Sequence, residues 1–361
     1  MELPYTRAFD KWPAIRFKRV MVKITIQDVA QKAGVSVATI DRVLNRRPGV
    51  KTRTVEKVES AIRELNYQPD RIAARLARGR EYRFWFVLPN TAGEFMQRVG
   101  EEVEAAAQRM AGERVSIMVK RVDVFDGPLL AKVLDELEEG IDGVAVVALD
   151  HPAVRESINA LVAKGVTVVT LVSDVPGSKR SHYAGIDNSS AGRTAAGLMG
   201  RFLGTRKGKV GLFAGSLALR DHIERQFGFE QVMAHEFADL QILPVRESRD
   251  NMERSEELAK QLLHEHPDLL GIYNVGGGTA GIVSALDVSP RAKDLVFIAH
   301  EITDGSRRAL IRGTIDVIIN QDAGHEVRSA VRVLMAKADS MPLIEDQERI
   351  RIDIFMRDNL P

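Results

Sequence analysis

Residues Ile24 to Asn45, ITIQDVAQKAGVSVATIDRVLN, hold two short helical patterns broken by Gly34-Val35-Ser36, and this spacing constrains the chain more than any other feature. Thr25 can cap the first helix while Asp28, three residues on, reaches back, and Ile26, Val29, Ala30 and Ala33 fall on one face. Gly34 supplies the turn and Ser36 can cap the second helix, whose Val37, Ile40, Val43 and Leu44 can turn inward. Ala38, Thr39, Asp41, Arg42, Asn45 and Arg46 then face outward. A helix-turn-helix uses the N-terminal half of its second helix in the DNA major groove, which sets Val37, Ala38 and Arg42 at base edges. The candidate DNA contacts are Thr25 and Ser36 at the two helix starts, with Val37, Ala38, Thr39, Arg42 and Asn45 on the second helix.

A third helical pattern from about Thr52 to Leu65 carries Val55, Val58, Ala61, Ile62 and Leu65 and closes a small three-helix core. RIAARLARGR follows, with Asp70 as a possible cap, Leu76 as the one large apolar residue of its second half and Gly79 as a stop. The order ITIQDVAxxAGVSxATxxRVLN, then LNYxPDRIAxxLA, resembles the lactose-repressor family (LacI/GalR) of transcription regulators. That resemblance implies that residues 68–80 form a hinge helix on operator DNA, with Leu76 of each subunit of a dimer wedged into the minor groove. Such a wedge costs about a few kcal/mol of stacking per step and lets bent DNA meet more protein. Asp41, Gln68 and Lys51 depart from the family's common residues. An aspartate at 41 can accept from cytosine N4 or pair with a nearby base such as Arg42 or Lys32.

Charge is divided in the same way. Residues 1–83 carry nineteen Lys and Arg against nine Asp and Glu, out of 51 and 50 in the whole chain, so the rest is acidic at 32 against 41. A basic block at one end is the footprint of a phosphate-binding module, and a uniform enzyme would lack it. Residues 1–22 read as a flexible extension, with Met21 as an alternative start. The absence of cysteine excludes disulfides and thiolate sites, and the apolar runs are far short of a membrane span, which fits a cytoplasmic chain.

From Tyr82 onward, β-branched and aromatic runs alternate with helical stretches: FWFVLP, VSIMVKRV, GVAVVAL and VTVVTLV, then after Asn188 KVGLFAG, LQILPVR, LLGIYNV, LVFIAH and DVIINQ. Continuous apolar strands with helices between them imply parallel sheets covered on both faces. The expected architecture is a small all-α head (23–67), a linker (68–80), and an α/β unit (81–361) of two doubly wound parallel-sheet lobes. This unit resembles the periplasmic sugar-binding fold, of the ribose-binding type, that serves lactose-repressor relatives as effector domain.

Ligands of open α/β sheets bind beyond the C-terminal strand ends. The resemblance carries a sugar or polyol site onto Phe95, Asp174, Arg225, Asn274 and Gln321, while His300 and Glu301 stand where an aspartate is usual. Phe95 either stacks on a sugar ring or lies under a helix start, and Asp174 either accepts from two hydroxyls or serves as a turn aspartate before Pro176. His300 can equally be a satisfied core residue. The ligand sequence Gly276-Gly277-Gly278-Thr279-Ala280-Gly281 fits GxGxxG after a strand, which leaves a nicotinamide dehydrogenase fused to a DNA-binding head as the rival reading, against a structural turn. A chromosome-bending protein would not need a polar cleft. The expectation is therefore a homodimeric, non-enzymatic repressor on a palindromic operator, without cofactor or metal and with a sugar or polyol as effector.

Overall fold

The structure is a computed structural model and describes residues 24–44, 47–67, 80–90 and 93–361. The chain divides into two units, one ending at Gly79 and one running from Arg80 to Pro361.

The first unit contains α1 (Ile26–Ala33), α2 (Val37–Leu44) and α3 (Thr52–Glu64). Thr25 and Asp28 form a reciprocal capping box: Asp28 Oδ2 accepts from the Thr25 N–H at 2.7 Å, and Thr25 Oγ1 accepts from the Asp28 N–H at 3.4 Å. Gly34 ends α1 in the left-handed region at φ 66°, where a side chain would be strained. The core is Val29, Ala30, Ala33, Ile40, Val58, Ala61 and Tyr67. Val37, which helical spacing also allows on the inner face, is 41% exposed. Lys51 begins α3 without a side-chain cap. Asn45 and Leu76 lie outside the described residues, as do the extension and the expected hinge helix.

In the second unit, β1 (Tyr82–Pro89), β2 (Val115–Val122), β3 (Gly143–Val146), β4 (Thr167–Leu171) and β5 (His182–Ala184) form a parallel sheet in the order β2-β1-β3-β4-β5. Alternation splits each strand between two cores. Phe84, Phe86 and Leu88 join α4 (Glu94–Met110), while Val87, Val144, Val146 and Val168 join α5 (Gly127–Asp135) and α6 (Pro152–Ala163). This is lobe 1.

Lobe 2 has seven strands: β6 (Gly208–Ala214), β7 (Leu240–Ile242), β8 (Arg246–Glu247), β9 (Leu269–Asn274), β10 (Val296–His300), β11 (Val317–Asn320) and β12 (Asp353–Phe355). Its order is β12-β11-β10-β9-β6-β7, with β8 also on β6, and β12 runs antiparallel to β11. The closing strand is thus an exception to the expected parallel sheets. Helices α7 (Asn188–Leu203) and α8 (Arg220–Glu236) cover one face, and α9 (Met252–Glu265), α10 (Thr279–Asp287) and α11 (Asp304–Arg312) the other.

After β11 the chain returns to lobe 1 as α12 (Ala323–Ala338), whose Ala323, Val327, Ala330 and Leu334 complete the core of the first sheet. A short α13 (Glu345–Glu348) precedes β12.

Candidate functional site

The candidate DNA surface is built by the turn before α2. Ser36 Oγ accepts from the Thr39 N–H at 3.2 Å and shares a hydrogen bond with Thr39 Oγ1 at 3.0 Å, so both hydroxyls help fix the helix start. Ala38 and Arg42 are exposed beyond it, as the outward-face pattern requires, and Val37 is exposed with them although the spacing also allows it on the inner face. Asp41 reaches Arg47 at 3.6 Å, and Lys32 reaches Glu64 at 2.9 Å, so the acidic group facing this surface has a basic neighbour.

In the second unit, the polar groups gather where lobe 2 strands end. Gly192 of α7 and Gly228 of α8 let the two helices touch: a Cβ on the first would overlap the Arg225 carbonyl oxygen, and one on the second would overlap that of Ser189. This contact carries Arg225 into the interior, 2% exposed. Its Nε donates to Asn188 Oδ1 and its Nη1 to the Val275 carbonyl, both at 2.8 Å, while Nη2 has no partner. Asn188 Nδ2 in turn donates to the Tyr183 hydroxyl at 3.0 Å, and that hydroxyl donates to the Val172 carbonyl at 2.8 Å. One relay therefore runs from the end of β9 in lobe 2 through Arg225, across the first crossover, to the end of β4 in lobe 1.

Around Arg225 stand Asp221, His300, Glu301, Gln321 and Glu326, all buried. Gln321 Nε2 donates to Glu301 Oε1 at 2.7 Å, and Tyr273 and His300 share a hydrogen bond at 2.9 Å. Burial disfavours the Arg225 charge, but Asp221 and Glu301 more than offset it and hold the guanidinium above its ordinary value. Burial pushes the Glu301 carboxyl up to about 7 against the pull of Arg225, and pushes that of Glu326 well above its ordinary value, with Glu301 adding to the rise. His300 is driven well below its usual value by burial, with Arg225 and His222 adding to it, so it is a neutral ring. Glu301 itself sits at φ 66°, a left-handed conformation uncommon for a residue with a side chain, directly after β10.

Two expected ligand contacts are instead engaged in their own loops. Asp174 accepts from Thr170 Oγ1 at 2.6 Å, from the Val175 N–H at 2.8 Å and from both Nε and Nη2 of Arg180, which is the turn role before Pro176. Asn274 Nδ2 donates to the carbonyls of Gly276 and Gly277 and to Thr279 Oγ1, tying down the glycine turn. That turn also has Asp250 Oδ1 against the Gly277 N–H at 2.6 Å, and a Cβ on Gly278 would overlap Ser255. A carboxylate thus occupies the place a dinucleotide phosphate would take, which removes the ground for the dehydrogenase reading. Phe95, in the first turn of α4, packs on the lobe 1 core.

Arg225, His300, Glu301 and Gln321 are brought together as expected. Sequence reasoning missed Tyr183, Asn188, Asp221, Tyr273 and Glu326. The signal for Glu326 was present in EVRSAVRVLMA, a charge on an otherwise apolar helical pattern, but α12 was not read as an element.

No helix among the described residues is long and apolar enough to cross a membrane. Residues 84–340 match the periplasmic binding protein domain, and residues 25–70 match the bacterial regulatory proteins of the lacI family. The chain is 29% identical to catabolite control protein A of Streptococcus mutans, over 49% of this chain and 52% of that one. It is 30% identical to the lactose operon repressor of Escherichia coli, over 43% and 42%. These alignments span about half the length of each relative. Among solved structures, a glucose-galactose binding protein of Geobacillus stearothermophilus shares the fold with a TM-score of 0.69 and 22% identity, over 78% of this chain and 99% of that one. A capped helix-turn-helix and a two-lobed unit with a buried polar cluster at its strand ends agree with the two matches: the chain carries a regulatory domain of the lacI family at residues 25–70 and belongs, over residues 84–340, to the periplasmic binding protein domain family.

Proposed function

We propose that this chain is a DNA-binding transcription repressor whose operator affinity is set by a small polyhydroxylated ligand, a sugar or polyol, held between the two lobes. The observation that carries the reading is the set of buried polar atoms without partners on Asp221, Arg225, His300, Gln321 and Glu326, all near the C-terminal strand ends of lobe 2. Leaving such atoms unpaired costs about 1–3 kcal/mol each, and a ligand bearing several hydroxyls would satisfy them. A non-enzymatic role agrees with the names of the relatives, which are regulators and repressors.

The protein acts as a homodimer in the cytoplasm, because a two-fold protein matches a palindromic operator and one small helical head makes too few contacts alone. Ligand shifts the lobes between two arrangements, with a coupling of typically ~1–3 kcal/mol to operator affinity. Thr25, Ser36, Val37, Ala38, Thr39, Arg42 and Asn45 serve the DNA surface, with Leu76 as the wedge.

The test uses the full chain. Duplexes selected from a random pool should converge on a palindrome, and Arg42→Ala should cost ~1–3 kcal/mol while relaxing specificity at one position of each half-site. A thermal-shift screen of sugars and polyols should then find a compound that adds ~2.7 kcal/mol of stability at a hundredfold its Kd. Selection of no duplex, or operator affinity unmoved by any compound that binds, would overturn the proposal.

A further inference from the structure

The unpartnered atoms in the cleft are not a balanced set. Asp221 Oδ1, Gln321 Oε1 and both carboxyl oxygens of Glu326 lack a partner and are acceptor sites once the carboxyls are ionised, whereas Arg225 Nη2 is the one obligate donor among them, with His300 Nδ1 able to serve in either sense. Charge leans the same way. Asp221, Glu301 and Glu326 surround one cation, Arg225, and Glu326 is fully buried with neither oxygen bonded.

A neutral hydroxyl donates one hydrogen bond and accepts two, so a simple sugar would bring more acceptors to a site that already has too many. An ammonium group donates three and accepts none. The geometry points to a ligand that is an amine-bearing polyol, of the aminohexose class, whose ammonium lies against Glu326 and Asp221 while its hydroxyls meet Arg225 Nη2 and Gln321 Oε1. This rests on the proposed cleft and deepens it.

The proposal ties binding to protons. The groups that act on Glu326 are Asp221 and Arg225 from α8, Tyr183 from β5, Glu301 after β10 and Asp322 at the start of α12, while Tyr273 and His300 gather on Arg225, His222 on His300 and Gln321 on Glu301. Arg225 is their one fixed cation. Without ligand, the raised carboxyls of Glu301 and Glu326 hold protons near neutral pH, and an arriving ammonium expels them.

The experiment is isothermal titration of the full chain with D-glucosamine, D-galactosamine and D-mannosamine, each beside its neutral parent hexose and its N-acetyl derivative, in two buffers of different ionisation enthalpy. At least one amine is expected to bind tenfold or more tighter than its parent and its N-acetyl form, to release protons, and to weaken as pH falls below 7. Glu326→Gln, which keeps shape and removes charge, should erase the tenfold preference while parent binding holds or improves, and Asp221→Asn should reduce it. Thermal unfolding of both variants checks that they fold. If a neutral hexose binds as tightly as its amine, or if the preference survives Glu326→Gln, the amine assignment is wrong and the polyol cleft stands. Should no hexose, amino or neutral, bind in any form, the cleft reading falls and this proposal with it.

Discussion

Lobe 1 finishes the C-terminal end of its sheet with local pairs, Asp174 with Arg180 and Asp150 with Arg155 at 2.7 Å, whereas lobe 2 leaves buried atoms of Asp221, Arg225, His300 and Gln321 without partners. Lobe 1 has exceptions of its own, among them Arg155 Nε, Trp85 Nε1 and His182 Nε2. Ser173 has a buried hydroxyl with no partner, and Glu326 enters on α12, the helix borrowed from the far end of the chain. A polar group satisfied within its own loop has nothing further to offer a ligand, while one left unpaired carries a standing penalty that a ligand can remove. On the proposed reading, the difference gives recognition to lobe 2 and α12, and cover to the rest of lobe 1.

Breaking the lobe 2 side should have the largest effect. Arg225→Ala strands Asn188 and the Val275 carbonyl and leaves three carboxyls without their cation, at about 3–5 kcal/mol of stability, with loss of effector response. Arg225→Lys restores charge but not the fork that spans Asn188 and Val275, and should recover stability only in part. Calorimetric unfolding and effector-dependent operator release measure both, and a fully stable Arg225→Ala would overturn the assignment.

Glu301 provides the next largest effect. Its carboxyl titrates at about 7 in the fold, above its ordinary value of 4.5, so between these limits the folded chain holds a proton that the unfolded chain does not. Stability from this group is therefore complete below pH 4.5 and is lost as pH rises through 7, by on the order of 3 kcal/mol. Glu301→Gln should flatten that part of the profile in denaturant titrations across the window. His300 acts with the opposite sign, its depressed value opposing stability as pH falls below 6.5, and it is present in both proteins. Identical profiles for wild type and variant would refute the Glu301 account.

Gly228→Ala should follow, because the added methyl meets the Ser189 carbonyl and must push α8 away from α7. Overpacking of this kind costs about 1–3 kcal/mol. Since the same contact places Arg225, ligand affinity should drop with stability. Stability lost without affinity would uncouple the helix contact from the site.

The smallest effect belongs to lobe 1. Asp174→Ala removes a partly exposed pair and a turn hydrogen bond, for roughly 1 kcal/mol, and should leave effector affinity within twofold. An effector response abolished as in Arg225→Ala would return Asp174 to the cleft and erase the contrast between the lobes.

The head was legible because its signals are local. Thr25 with Asp28, Gly34 and Ser36 with Thr39 all act within four residues, and apolar spacing fixed the helix faces. The βα repetition was equally plain, since each strand is a continuous apolar run. Asp174 and Asn274 were ambiguous in the sequence because a polar residue at a strand end looks the same whether it faces a ligand or closes its own turn. Only the positions of Arg180 and of the Gly276 and Gly277 carbonyls decide between these, and they depend on backbone conformation. Asp221 and Glu326 were hidden for a different reason: both lie on helices where a charge normally faces solvent, and burial was imposed by packing between elements far apart in sequence.

The return of α12 to the first sheet also has a consequence in time. Lobe 1 presents all five of its strands by Ala184, yet its core includes Val327, Leu334 and Met335. During synthesis at about 5–20 residues per second, roughly 10–30 s separate the emergence of those strands from that of the helix that covers them. Throughout that interval the face of the nascent sheet that α12 will share with α4 is only partly covered, and lobe 1 is completed only after most of lobe 2 has emerged. The late helix thus ties the maturation of the first lobe to the synthesis of the second.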